Sequence, residues 1–203
     1  MARANKQPVG RPRQFEVDDV LDAAMNIFWR HGIRATTTRD LKDALGLSES
    51  SIYNTFGSKD GLLDAALTRY EEQVTGEMFS PFEGENSGFD AFEVFFDDLG
   101  HWVTHDGRHG CFIINVMAEN GGERADLTRR TRRYRNRMRR VFESALKSAA
   151  DAGETDPDQV STRASMLVAM ILGINVAARG GASAKEMTQM IDGTRRTVRL
   201  WRH

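Results

Sequence analysis

The stretch GLSESSIYNTFGSK, residues 46–59, decides how the rest of the chain is read. Gly46 and Gly57 bracket a segment too short, and too polar on one side, for a helix that serves only a core. Ser48 is placed as an N-cap, Ile52 and Phe56 point inward four residues apart, and Gly57 stops the helix. Glu49, Ser50, Ser51, Tyr53, Asn54 and Thr55 then face outward, a set able to hydrogen-bond base edges and phosphates. Lys59 follows Ser58, the cap of the next helix. A cation in a first turn opposes the helix dipole at a cost of roughly a few tenths of a kcal/mol, and a phosphate bound at that helix start reverses the sign.

Outward from this stretch the periodicity is helical, with no convincing alternating strand. Upstream, Val17, Val20, Leu21, Ala24, Ile27 and Phe28 line one face of a helix that Gly32 can end in a left-handed cap. A second helix opens at Thr37, with Asp40 three residues on, and turns Leu41, Ala44 and Leu45 inward before Gly46 breaks it. Downstream, residues 59–79 carry the stripe Leu62, Leu63, Ala66, Leu67, Tyr70 and Val74. A Gly, Pro and Glu loop over 80–88 precedes an aromatic helix ending near Val103, then a short helix from Cys111, a long one over 126–150, one over 160–178 and a last one over 184–201. The expected fold is all-α with about nine helices.

Two short helices joined by Gly46-Leu47-Ser48 have the spacing of a helix-turn-helix, whose second helix presents its N-terminal residues to the DNA major groove. Over residues 15–63 the chain resembles the DNA-binding domain of the TetR/AcrR family of transcriptional regulators. The residues that carry the likeness are Ala23-Ala24 through Phe28, Gly32, Thr36 to Leu41, Gly46-Leu47-Ser48, and Ile52 through Leu63. The resemblance implies that Tyr53 and Lys59 hold phosphates, that Thr37 and Thr38 reach the DNA backbone, and that Arg39, Ser50 and Asn54 read bases, with Ser48, Ser51 and Thr55 beside them. Leu45-Gly46-Leu47 departs from the family's more usual Ala-Gly-Val, an apolar exchange that keeps the motif.

The leader Val9-Gly10-Arg11-Pro12-Arg13 adds a second expected contact. Arg3, Lys6, Arg11 and Arg13 precede any carboxylate, and Gly-Arg-Pro-Arg suits an extended arm in a narrow minor groove. A solvated tail with incidental charge is the plainer alternative. The chain divides on this reading into a disordered basic arm (1–14), a helix-turn-helix domain (15–60) and an effector-binding and dimerisation domain (61–203).

Composition narrows the class. With 203 residues, Lys+Arg 28 against Asp+Glu 29 and net charge −1, the overall balance says nothing about a nucleic-acid partner. Cys111 is the only cysteine, which excludes an intrachain disulfide and fits a reducing cytoplasm. The apolar run from Met166 to Ala178 is too short to span a bilayer, so the expected place is cytoplasmic, with no membrane partner. No Gly-rich phosphate loop, acid–base pair or nucleophile arrangement points to an enzyme, and no cofactor is expected.

In the second domain Phe95, Phe96, Trp102, Cys111, Phe112, Asn115, Tyr134, Met166, Met170 and Asn175 are candidates for an effector pocket, with plain core packing as the alternative. Cys111 near a helix start admits redox sensing or an inert buried thiol. His101 and His105, four apart, admit a transition metal, either in a sensor or, more remotely, in an enzyme, against solvated histidines. The arginine run 129–140 reads as the solvated side of one helix. Leu167, Ile171, Ile174, Met187, Met190, Ile191, Val198 and Trp201 give the last two helices more apolar surface than one domain needs, and the resemblance implies a symmetric dimer through them. The implied whole is a dimeric, ligand-responsive regulator, most often a repressor in this family, on a partly palindromic double-stranded operator. The small molecule that releases it is not identified by the sequence.

Overall fold

Hydroxyl caps and glycines set the ends of the first four helices: α1 (Val17–His31), α2 (Thr38–Leu45), α3 (Glu49–Phe56) and α4 (Lys59–Tyr70). The structure is a computed structural model describing residues 16–84 and 87–203, so the leader with Arg11 and Arg13 lies outside the described residues. Thr37 Oγ1 accepts from the Asp40 amide at 3.2 Å while Asp40 accepts from the Thr37 amide at 2.7 Å, a reciprocal capping box. Ser48 and Ser58 cap α3 and α4 by accepting from Ser51 N at 3.1 Å and Gly61 N at 3.0 Å. Gly32 ends α1 at φ +87°, ψ 160°, a positive-φ conformation that favours glycine but is not the left-handed helical cap expected. A Cβ at Gly32 would also sit 2.7 Å from the Glu119 carboxylate, so the position needs glycine on two counts. Ala44 is exposed, contrary to expectation, because α2 is two turns long and its Leu41 already fills the contact with the core.

The rod after Ser58 is continuous but not uniform. A π-helical turn over Glu71–Thr75 joins α4 to the short α5 (Gly76–Phe79), and a 3₁₀ turn, Ser80–Phe82, follows where a loop was expected. Then come α6 (Gly88–Thr104), α7 (Phe112–Asn120), α8 (Ala125–Asp151), a 3₁₀ turn Pro157–Gln159, α9 (Val160–Arg179) and α10 (Ala184–Arg199). With α4 and α5 counted as one rod, the described residues form nine helices, a small head of α1 to α3 and a larger body.

The centre of the body is aromatic. Phe142 on α8 lies 5.5 Å centroid to centroid from both Phe82 and Phe95, and 5.8 Å from Phe92, with Phe79 at 6.4 Å. These edge-to-face and tilted arrangements suit the ring quadrupoles. Phe82 reaches the cluster from the 3₁₀ turn.

The last two helices turn most of their apolar residues into the protomer itself. Leu167, Ile171 and Ile174 of α9 and Met187, Ile191 and Val198 of α10 are buried within the single chain, as is Trp201 beyond it, so they are core rather than the dimer surface expected of them. The reason is periodicity: Leu167, Ile171, Ile174 and Ala178 share the α9 face packed against α7 and α8, and α10 lies along α6. Met166, Val176 and Met190 are exposed and Met170 is half-buried, which makes that outer face the unpartnered one. It also removes Met166 and Met170 from the pocket. By length and composition the helical stretch Pro157–Arg179 is enough to cross a membrane, which the shorter run read from sequence is not; 28% of its apolar window is buried inside the protomer.

Phe142→Ala should cost about 3–5 kcal/mol of stability, read by equilibrium urea unfolding. A loss under about 1 kcal/mol would mean that the cluster is not the organising contact of the body.

Candidate nucleic-acid interface and adjoining cleft

The recognition unit is built by anchoring one side of a short helix and leaving the other bare. Ile52 is buried and Phe56 half-buried beneath α3, while Glu49, Ser50, Tyr53 and Asn54 are exposed and Ser51 and Thr55 half-exposed. Gly46, in the left-handed conformation at φ +63°, makes the turn between α2 and α3. Ser48 Oγ stands 2.9 Å from Ser50 Oγ and 2.8 Å from Ser51 Oγ, which gathers three hydroxyls at the positive end of α3. On α2, Thr37 is exposed, Thr38 half-exposed, and Arg39 extends into solvent with only a long 3.8 Å pairing to Asp43. The Thr37 amide and hydroxyl hold the Asp40 carboxyl below its ordinary value, which keeps the capping box ionised. Lys59 differs from expectation: its Nζ donates to the Ile33 carbonyl at 3.0 Å and the side chain is half-buried, so the cation braces the α1–α2 turn as well as facing the helix start.

That same turn carries polar contacts between head and body, beside the apolar packing of α1 on α4. Glu119, in the last turn of α7, accepts from the Ile33 amide at 2.7 Å. Arg179, at the end of α9, pairs with Glu119 at 3.8 Å and donates to the carbonyls of Trp29 at 2.7 Å and Arg30 at 3.1 Å. A guanidinium on the final carbonyls of α1 satisfies the acceptors that a helix end leaves open. Arg124 pairs with Asp60 at 2.6 Å, and Arg130 reaches Asp64 at 2.6 Å and Glu71 at 3.0 Å. Arg130 is therefore buried and structural, the exception in an arginine run expected to lie mainly on the solvated faces of the helix.

Beside the joint lies a solvent-open cleft of about 630 Å³ between Trp29 of α1, the π turn with α5, and the second half of α6. Val74, Met78 and Trp102 separate it from an inner chamber of only about 20 Å³, bounded further by Tyr70, Phe95, Cys111, Tyr134 and Asn175. The structure thus brings together Phe95, Trp102, Cys111, Tyr134 and Asn175 of the expected pocket. Phe96 and Phe112 are fully buried and line neither space, and the helical period explains it: Phe96 follows Phe95 by about 100° around α6. Asn115 and Asn175 are satisfied by backbone, Asn115 Nδ2 donating to His109 O at 2.8 Å, while Asn175 accepts from Cys111 N at 2.7 Å and donates to Ile171 O at 2.8 Å. Trp29, Val74, Glu77, Met78 and Asp98 line the cleft and were not among the expected residues; each reads as ordinary core or surface until the two domains are docked.

The inner chamber is chemically quiet. Cys111 is buried, its thiol lies 3.5 Å from Tyr134 Oη as donor, and burial pushes it above the ordinary thiol value instead of toward a thiolate. Burial likewise raises the phenols of Tyr70 and Tyr134 well above their ordinary value. His101 and His105 stack ring on ring at 4.3 Å, and among the described residues no group of three or more His, Cys, Asp or Glu is placed to hold a metal.

Residues 20–66 match the family model described as bacterial regulatory proteins, tetR family, and residues 88–194 match the tetracyclin repressor-like C-terminal domain. The chain belongs to the TetR family of transcriptional regulators. It is 33% identical over 199 residues, 97% of this chain and 93% of the other, to the HTH-type transcriptional repressor ComR of Escherichia coli (strain K12). It is 26% identical over 157 residues, 77% of this chain and 81% of the other, to the uncharacterized HTH-type transcriptional regulator YezE of Bacillus subtilis (strain 168). Among solved structures, a cysteine mutant of the TetR family regulator CifR complexed with 26-bp double-strand operator DNA shares the fold at TM-score 0.79 and 23% identity, covering 95% of this chain and all of that one. A TetR regulator from Chloroflexus aurantiacus J-10-FL matches at 0.79 and 22%, covering 91% and 94%.

The raised acids give this TetR-family protein a pH dependence. Below the ordinary thiol value of 9.0 the folded and unfolded states both keep the Cys111 proton, so this group adds nothing. Above it the unfolded chain ionises first, because the folded pKa is higher, and stability falls as pH rises. Tyr70 and Tyr134 act in the same direction higher up. Thermal unfolding should therefore move to lower temperature above about pH 9, less steeply in Cys111→Ala. An identical slope in the variant would place the lost stability elsewhere.

Proposed function

We propose that the chain is a dimeric, ligand-responsive repressor that binds a partly palindromic operator and releases it when a small molecule occupies the cleft. The observation that carries this reading is the bare polar side of α3 held over the buried Ile52, with the hydroxyls of Ser48, Ser50 and Ser51 at its start. Such a surface suits base edges and phosphates and has no role in the protomer's own packing. Arg39 and Asn54 are placed to read bases, and Ser50 with them. Thr37, Thr38, Tyr53 and Thr55 are placed along the backbone. Lys59 keeps two ammonium donors for a phosphate after giving one to Ile33 O.

The partner is a second copy. Met166, Val176 and Met190 are exposed, and a Cβ at Gly173 would meet nothing within 4 Å, so a symmetry-related helix can come close to α9. Pairing through this face sets two recognition helices on one side of a duplex, which a half-site pair requires. The effector acts by linkage. A molecule that fits the cleft better when the heads are wrongly spaced lowers DNA affinity by its differential affinity for the two arrangements.

Selection of duplexes from a random pool by the full-length chain should return two inverted half-sites. Asn54→Ala should then cost about 1–3 kcal/mol at one base position. Lys59→Ala should weaken all duplexes alike and make the salt slope shallower by about one unit. A changed sequence preference with an unchanged slope for Lys59→Ala would contradict its phosphate role.

Val176→Glu should give monomers in sedimentation at micromolar concentration, because an unpaired carboxylate is costly to bury. A dimer that survives the change would put the interface elsewhere.

A further inference from the structure

The cleft beside Trp29 has a charge of its own. Among the described residues its lining holds the carboxylates of Glu77, Asp98 and Asp106, no lysine or arginine, and His101 as the one basic side chain. On the other side of α6 the acids are neutralised: Asp90 pairs with Arg202, Glu93 with Arg199 and Asp97 with Arg195. Among the described residues none of the three cleft carboxylates has an ion-pair partner. In a chain with nearly equal numbers of acidic and basic residues, these acids leave a local negative field that is strongest at Glu77 and Asp98, since Asp106 also borders a second hollow with Arg30 and Arg108.

The walls between those acids are aromatic and soft. Trp29 and Trp102 lie with ring centroids 6.1 Å apart and planes at 16°, and Met78 is half-buried beside them. Trp29 is held by its indole N–H, which donates to Gly110 O at 2.6 Å, whereas Trp102 is only half-buried and separates the cleft from the inner chamber. Indole faces attract cations, and a thioether adapts to an irregular apolar body. The inner chamber, with room for about one water, enlarges only if Trp102 or Met78 swings away.

We propose that this cleft binds a flat organic cation, an aromatic ring carrying a quaternary or protonated nitrogen, with the charge toward Glu77, Asp98 and Asp106 and the ring against Trp102 and Met78. The proposal rests on the reading of the cleft as the effector site and names the ligand's chemical class. Because Trp29 belongs to α1, a ring wedged against the Trp29–Trp102 stack presses on the head directly. A neutral or anionic ligand of the same shape lacks the partner that three carboxylates supply.

Equilibrium dialysis of the full chain against N-methylquinolinium, 1-methylnaphthalene and 1-naphthoate tests it, since the three share a ring system and carry charges of about +1, 0 and −1. The cation should bind roughly tenfold or more tightly than the neutral ring, and the anion more weakly still. Glu77→Gln combined with Asp98→Asn should abolish that preference while Glu72→Gln, on the same rod but outside the cleft, keeps it. The replaced carboxylates are exposed, and thermal unfolding of each variant checks that the fold is intact. Equal binding of cation and neutral ring, or a preference that survives the double substitution, overturns the proposal. Adding the cation to the chain bound to its selected duplex separates the two readings. Charge-selective binding without release sustains the ligand class and contradicts the effector role, and release by the neutral ring as readily as by the cation does the reverse.

Discussion

The Glu119 carboxylate is the contact on which the arrangement of the molecule depends. It accepts from the amide of Ile33, in the turn between α1 and α2, and is itself held by Arg179, whose guanidinium closes the carbonyl end of α1. Two backbone ends that would otherwise need water are thereby satisfied by side chains from the body. Gly32 has no side chain because the carboxylate occupies the space where one would stand. The head packs on the α4 rod through a continuous apolar seam, Trp29 lying 5.4 Å from Tyr70, and the charge-assisted hydrogen bonds at the α1–α2 turn add direction to that contact.

This joint lies next to the cleft, and Trp29 belongs to both. Its carbonyl accepts from Arg179, its indole N–H donates to Gly110 O, and its ring stacks on Trp102. Arg130 adds a second strut from α8 to the α4 rod through Asp64 and Glu71, where the π turn begins. A displacement at the cleft wall therefore reaches the end of α1 through two side chains in contact. Trp29, Trp102 and Arg179 thus form one contiguous chain of contacts from the cleft wall to the carbonyl end of α1.

Much of the head was legible because its signals are local. Thr37 with Asp40, Ser48, Ser58 and the glycines at 46 and 57 each act within a few residues, and the structure uses them as caps and stops. The body was legible in its helices but not in its faces. Leu167, Ile171 and Ile174 read as interface and are core, since periodicity says which residues share a side and not what covers it. Glu119, Arg179 and Arg130 were not legible as a joint: their partners lie 59 to 150 positions away, and no pattern along the chain marks such a pairing. Cys111 shows the same limit, because a helix start favours its thiolate and burial disfavours it, and only the packed structure shows that burial wins.

The most direct test is the affinity of Glu119→Ala for the selected duplex, measured beside the unchanged chain across a range of salt. Glu119 lies at the hinge and not on the polar side of α3, so no phosphate or base contact is removed with it. Loosening the head should weaken binding by about tenfold, through the smaller share of molecules with both heads in register, and leave the salt slope as it was. Unchanged affinity would show that the Glu119 joint does not set the position of the reading helices.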